Sequence, residues 1–180
     1  HGNAVAVATP YDSKLATLSA ELDKTRLYYG DAEKKARMQA KVKASEKLHA
    51  MGSVESRARR ATFNATPSGK KNFVGENELV DDVASGRVKL DEIDRDHLPA
   101  AMQMMAPAEQ KAMIEEQVAK RQQIKAQVEA LAKKRADFIT QEVKASGGAE
   151  ESLDEKLYDA VRSQAARSGI SYDKAESAAY

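Results

Sequence analysis

Cysteine and tryptophan are absent from this 180-residue chain, and proline (4), glycine (9) and histidine (3) are scarce. Without cysteine there is no disulfide framework and no thiolate nucleophile, which suits cytoplasm and periplasm equally. The three histidines, His1, His49 and His97, stand far apart without ligand-spaced partners and read as surface or capping residues. Aromatics make up 5% of the chain, too few to interleave with its basic residues as nucleic-acid platforms require. No apolar run approaches the roughly 20 residues of a membrane span. The first residues lack the basic-then-apolar pattern of a signal peptide, and His1-Gly2 reads as a tag scar. A net charge of +1 exerts no global pull on nucleic acid or acidic membranes.

What remains is alanine and charge. Hydrophobic residues reach 42%, much of it alanine, and charged residues 32%, the composition of helical bundles and coiled coils. The strongest signal is a single long amphipathic helix from Ala106 to about Ser146. Pro107 suits a first helical position, Glu109 sits in the first turn, and no glycine or proline follows until Gly147-Gly148. Ile114, Val118, Ile124, Val128, Leu131, Phe138, Ile139 and Val143 form its apolar stripe, interrupted by Arg121 and Arg135, so a strict heptad coiled coil is excluded. Ser152-Leu153-Asp154-Glu155 is a capping box opening another helix, with Leu157, Tyr158, Val161 and Ala165 on one side. Packed back on the long helix it makes an antiparallel hairpin over residues 106–172, with 173–180 as a tail.

The N-terminal thirty residues predict a strand (Ala4–Ala8), a helix capped by Thr9 and led by Pro10 and Asp12, and a strand at Arg26–Tyr29 ended by Gly30. In that order they make a minimal βαβ unit with parallel strands. Residues 31–72 are a basic segment. Asp31 caps a helix to Met51 with Ala36, Ala40, Ala44 and Leu48 on one stripe, Gly52 stops it, and Ser53 caps a second helix through Arg60. Thr66–Asn72 is a loop by composition. Residues 73–105 are acidic: Glu76-Asn77-Glu78 leads a short helix closed by Gly86, Leu90 and Ile93 pair, and a Met-rich turn follows at Met102, Met104 and Met105.

No Ser/His/Asp order, Gly-rich dinucleotide motif or nucleophile signature is present, so no catalytic residue, cofactor or metal ligand is assigned. Thr66-Pro67-Ser68-Gly69-Lys70-Lys71 lacks the frame of a phosphate loop. Asn64-Ala65-Thr66 matches a glycosylation acceptor by chance. Asp91, Glu92, Asp94 and Asp96 read as a solvated acidic loop before a hard-cation site, lacking the spacing and glycine of an EF-hand. This acidic stretch has a further role open to it, pairing with the basic helices of the same molecule. The candidate contact residues are the basic Lys34, Arg37, Lys41, Arg57, Arg59 and Arg60 together with the adaptable Met102, Met104 and Met105.

Ala4-Val5-Ala6-Val7-Ala8-Thr9-Pro10-Tyr11-Asp12, with Leu15, Leu18 and Leu22 and then Leu27-Tyr28-Tyr29-Gly30, resembles the end of the von Willebrand factor type A domain in a group of bacterial proteins. Glu78-Leu79-Val80-Asp81, Gly86–Leu90, Leu98-Pro99, Ile114-Glu115-Glu116-Gln117, Lys120-Arg121 and Gln164–Ile170 are similar to the C-terminal extension of that group. The resemblance implies that residues 1–30 close a doubly wound sheet and that the rest is an appended helical region. It also implies export, to periplasm or cell surface. Type A domains bind through a metal-ion-dependent adhesion site opened by D-x-S-x-S, which this sequence lacks, so no metal residue is carried over.

The expectation is therefore a mainly α protein: a long helical hairpin, additional short helices and a small N-terminal βαβ remnant. Its expected role is non-enzymatic, a helical interaction or spacer region on a type A ligand-binding domain that contacts a protein partner. The rival is a self-associating scaffold, a homo-oligomer through the N-terminal strands or the helix seam. A third reading is a nucleic-acid-associated protein using the basic helices.

Overall fold

The structure, a computed structural model, describes residues 7–145. Among them it is mainly helical, with α1 (Asp12–Lys24), α2 (Ala32–Met51), α3 (Val54–Ala65), α4 (Pro67–Val74), α5 (Leu79–Ala84), three short 3₁₀ turns between Leu90 and Met102, and α6 (Pro107–Ala145). The chain divides into two units, Pro10–Ala132 and residues 1–9 with 133–180. The first holds all of α1 to α5.

Leucines 15, 18 and 22, at helical spacing, give α1 one apolar face, and each is 1% exposed or less. That face lies mainly on α3. Ala58 and Ala61 of α3, both fully buried, carry only methyl groups and so let the two backbones come close. Phe73 and Val74 of α4 and Ile124 and Val128 of α6 complete this core. A second core gathers Leu79, Val80, Leu98, Met102 and Ile114. Burying a side chain of this size contributes about 1.5–3 kcal/mol, so these clusters dominate the unit's stability.

The expected helix starts and stops recur at α2 and α3. Asp31 Oδ1 accepts from the Lys34 N–H at 2.8 Å, Gly52 ends α2, and Ser53 Oγ accepts from the Ser56 N–H at 3.2 Å. Helix α3 runs on past Arg60 to Ala65. At α1 the cap position falls on Tyr11 instead of Thr9. The single long helix runs Pro107–Ala145, 39 residues or roughly 58 Å at 1.5 Å each.

Three expectations are corrected. The βαβ remnant is not supported: no strand is present among the described residues, Val7–Thr9 are in no regular element, and Ala4–Ala6 lie outside them. Leu27–Tyr29 do run extended, but their backbone groups meet the turn at Asn77–Leu79. Tyr29 N–H donates to Asn77 O (3.1 Å) and Leu79 N–H to Leu27 O (2.7 Å), a single antiparallel bridge. Strand propensity needs a partner ladder, and here a helix lead-in supplies the acceptors and donors instead.

Thr66–Asn72 is no loop. Thr66 Oγ1 accepts from the Gly69 N–H at 3.0 Å and Pro67 takes the first position of α4, so residues that look like loop residues are a cap and a helix start. Gly69 is required, because a Cβ there would fall 1.8 Å from the Phe63 carbonyl oxygen.

The alanine stripe of α2 faces water. Ala36, Ala40 and Ala44 are exposed and Leu48 is 37% exposed, while Met38, Ser45 and, half-buried, Lys41, Val42 and His49 face the body. An alanine face offers about 0.8 kcal/mol per buried carbon. The opposite face makes charge-assisted hydrogen bonds worth about 1.5–3 kcal/mol each, and it wins.

In α6, Ile114, Ile124 and Val128 are buried against α1, α3, α4 and the segment 79–102, and Leu131 packs at the edge. The return arm of the expected hairpin, residues 147–172, lies outside the described residues. No helix among the described residues is long and apolar enough to cross a membrane.

Candidate interaction groove on the basic helices

The nine candidate contact residues do not form one surface. Arg57 and Arg60 turn inward from α3: Arg57 Nη1 donates to His49 O at 3.2 Å, and Arg60 Nη2 to both carboxylate oxygens of Asp23 at 3.1 and 2.8 Å. Arg59 is exposed on the same helix, and Lys34 is exposed beside Asp31 at 3.6 Å. The methionines diverge. Met102 is fully buried, Met105 is half-buried against the second core, and Met104 is 85% exposed.

Arg37 and Lys41 do meet. One helical turn apart on α2, they face α4 across an open groove of about 630 Å³, with Met38, Lys71, Asn72 and Glu76. Lys41 Nζ donates to the Asn72 carbonyl at 3.2 Å, and Arg37 Nη2 to Glu76 Oε2 at 3.1 Å. Both side chains of that pair are largely exposed; Glu76 lies outside the acidic loop at 91–96, which meets α2 only through its backbone, the Asp96 carbonyl accepting from Lys35 Nζ. Gly75, at φ +72, holds the groove's corner open, since a Cβ there would lie 2.7 Å from Lys41 Nζ.

Beneath the groove lies a buried charge cluster. Asp23 takes Arg26 (3.0 Å), Arg60 (2.8 Å) and His49 Nε2 (2.7 Å), so one carboxylate serves two guanidinium groups and an imidazole. Arg26 also donates to Ser45 Oγ and the Phe73 carbonyl, and its guanidinium lies 5.3 Å from the Phe73 ring centre. Burial, then the neighbouring Arg26 and Arg60, push the Lys41 ammonium below its ordinary pKa, with Glu76 opposing.

A second charge constellation joins both cores. Arg121 of α6, 7% exposed, binds Glu78, which is fully buried, through Nη1 (2.9 Å) and Nη2 (3.0 Å), and donates to Thr25 Oγ1 and Thr25 O. Glu78 in turn accepts from the N–H groups of Leu27 and Asp81, capping α5. Every lone pair of that carboxylate is directed at a donor, which is the condition for a buried ion pair to be tolerated.

Beside it, a smaller cleft of about 260 Å³ includes Lys70, Asp81 and Lys125. Burial alone would raise the Asp81 carboxyl, but hydrogen bonds from Lys70 and Arg87 outweigh it and hold it below its ordinary value. Of the acidic loop, Asp94, Asp96 and His97 bring potential ligand atoms within 4.8 Å of one another, with both carboxylates exposed to water. Asp91 and Glu92 are not part of that group.

The sequence reading missed Lys71 and Asn72, which sit on the unrecognised α4, and Asp23, Arg26 and Glu78, whose partners lie far away in the chain. No family model, no curated protein and no solved structure matches the chain.

Proposed function

We propose that this chain is a non-enzymatic helical interaction module and that α2 is the element it offers to a protein partner. One observation carries the reading. Helix α2 turns Ala36, Ala40, Ala44 and Leu48 outward, continues them with Met51 at 75% exposure, and is held to the body by its polar side. Helices in globular domains are normally arranged the other way round, with apolar residues inward. An amphipathic helix laid along such a face gains apolar contact without displacing anything.

The rival readings are less well supplied. Ile114, Ile124 and Val128 of the α6 seam are already covered within the chain, so a self-associating seam has lost its central residues. Arg57 and Arg60, needed for a continuous phosphate track, are occupied by His49 and Asp23. Attachment to a type A domain rests on the resemblance of residues 4–30 and the segments after them; a D-x-S-x-S strand encoded upstream of Asn3 is the sequence it requires.

The test is a photoreactive residue placed at Ala44 or Met51, with exposed Gln127 of α6 as the control, followed by cross-linking in the native cell. A discrete adduct from α2 that the control does not give is the expected result. Identical patterns from both helices would sink the reading, and a product of twice the chain mass would move it to self-association.

A further inference from the structure

The groove between α2 and α4 is short of negative charge. Arg37, Lys41 and Lys71 line it against Glu76 alone, and Arg26 and Arg60 repel the Lys41 charge from nearby. No carboxylate among the described residues lies within 4.0 Å of Lys41 Nζ or Lys71 Nζ, and the partner of Lys41 is a neutral carbonyl. At the α2–α3 corner, apart from the groove, Arg57 Nε and Arg60 Nε are shielded from water without a hydrogen-bond partner. Glu76, the single acid on the rim, is 73% exposed and bound only to Arg37, which is itself 60% exposed, so an incoming anion can displace it at little cost.

Anions recover more here than at an ordinary surface lysine. Lys41 is held half-buried above two guanidinium groups, a position its charged form resists. A carboxylate entering beside its Nζ would relieve that repulsion and gain a charge-assisted hydrogen bond. Gly75 leaves the approach to Lys41 Nζ free of a side chain.

We propose that this groove seats an acidic peptide segment, whose clustered carboxylates lie between Lys41, Lys71 and Arg37. The proposal rests on the docking role of α2 and names the chemistry of its partner. A peptide fits better than a nucleic acid. The groove is a local recess of about 630 Å³ without an aromatic residue in its lining, which leaves bases nothing to stack on. Met38 and the lysine stems give it the apolar floor that side-chain methylenes prefer.

The experiment is fluorescence anisotropy with the whole chain and a short labelled peptide rich in Glu and Asp, beside its Gln/Asn counterpart. Inorganic phosphate and a single-stranded oligonucleotide serve as competitors. Only the acidic peptide should bind, more weakly at about 0.3 M salt. Lys41→Met should weaken it about tenfold, the loss of one charge-assisted hydrogen bond. Lys71→Met should act in the same direction, and Arg59→Met, outside the groove, should change nothing. Lys41→Met should melt no lower than the parent chain, since the charge it removes is a repelled one.

Equal binding of the two peptides overturns the proposal, as does an acidic peptide indifferent to Lys41→Met. Displacement by the oligonucleotide at lower concentration than by unlabelled peptide makes the groove a phosphate-backbone site; displacement by phosphate alone at comparable concentration makes it a simple anion site. Either result removes the peptide. Cross-linking from Met51 is read independently of the groove. An adduct there together with no peptide binding ends this proposal and leaves the docking reading standing.

Discussion

Arg121 shows how a single residue can be conspicuous in a sequence and still unreadable. Its charge falls on the apolar stripe of α6, where the pattern marks an interruption and nothing more. The structure converts that interruption into the joint between two cores, because Glu78 and Thr25 arrive from 43 and 96 residues away to meet it. Neither separation follows from periodicity, so the pair was not legible. Removing one partner strands a buried charge, which costs about 3–5 kcal/mol, whereas removing both strands none. Arg121→Met and Glu78→Met should therefore each lower the urea midpoint sharply, and the double variant should recover part of the loss. A double variant as unstable as the sum of the two singles would show that the pair is not the unit of stability.

Elements were more legible than their surroundings. Helices α2, α3, α5 and α6 announce themselves through Asp31, Ser53, Glu78 and Pro107, since caps act within one turn and need no distant partner. Helix α4 was hidden because Thr, Pro, Ser, Gly and Lys compose turns and caps alike; only the Thr66–Pro67 order distinguishes them. The orientation of α2 was hidden for another reason. Its alanines look like an inner face until Arg26, just after α1, and Arg60 of α3 are seen beneath Ser45. Where α3 meets α4 the backbones leave no room for a methyl group, with the Phe63 oxygen 1.8 Å from a Cβ at position 69. Gly69→Ala should cost about 1–3 kcal/mol through the backbone shift it forces, in spite of alanine's better helix propensity. A melting curve at or above that of the parent chain would show that the α3–α4 corner yields freely.

At the scale of the molecule, pH is the readout that sums over many sites. Asp81 in the folded chain titrates below its ordinary 3.8, and hydrogen bonding by the Lys34 N–H lowers Asp31 similarly at the start of α2. A carboxyl depressed by folding adds stability above its unfolded pKa and surrenders it as pH falls towards the folded value. The unfolding free energy should thus stay level at neutral pH and decline in acid below about pH 4. Asp81→Asn should flatten part of that decline, as followed by acid titration of the far-ultraviolet dichroism; an unaltered titration would remove Asp81 from the account.

The long reach of Arg121 has a consequence for synthesis. A ribosome releases Thr25 and Glu78 well before the guanidinium that must lie between them, so the emerging chain spends that interval with an acid it cannot yet hide. Closure of the two cores has to wait for the part of α6 that carries Arg121. Any shortened version ending ahead of position 121 would remain in the unfinished condition of the nascent chain, however completely its earlier helices were spelled out.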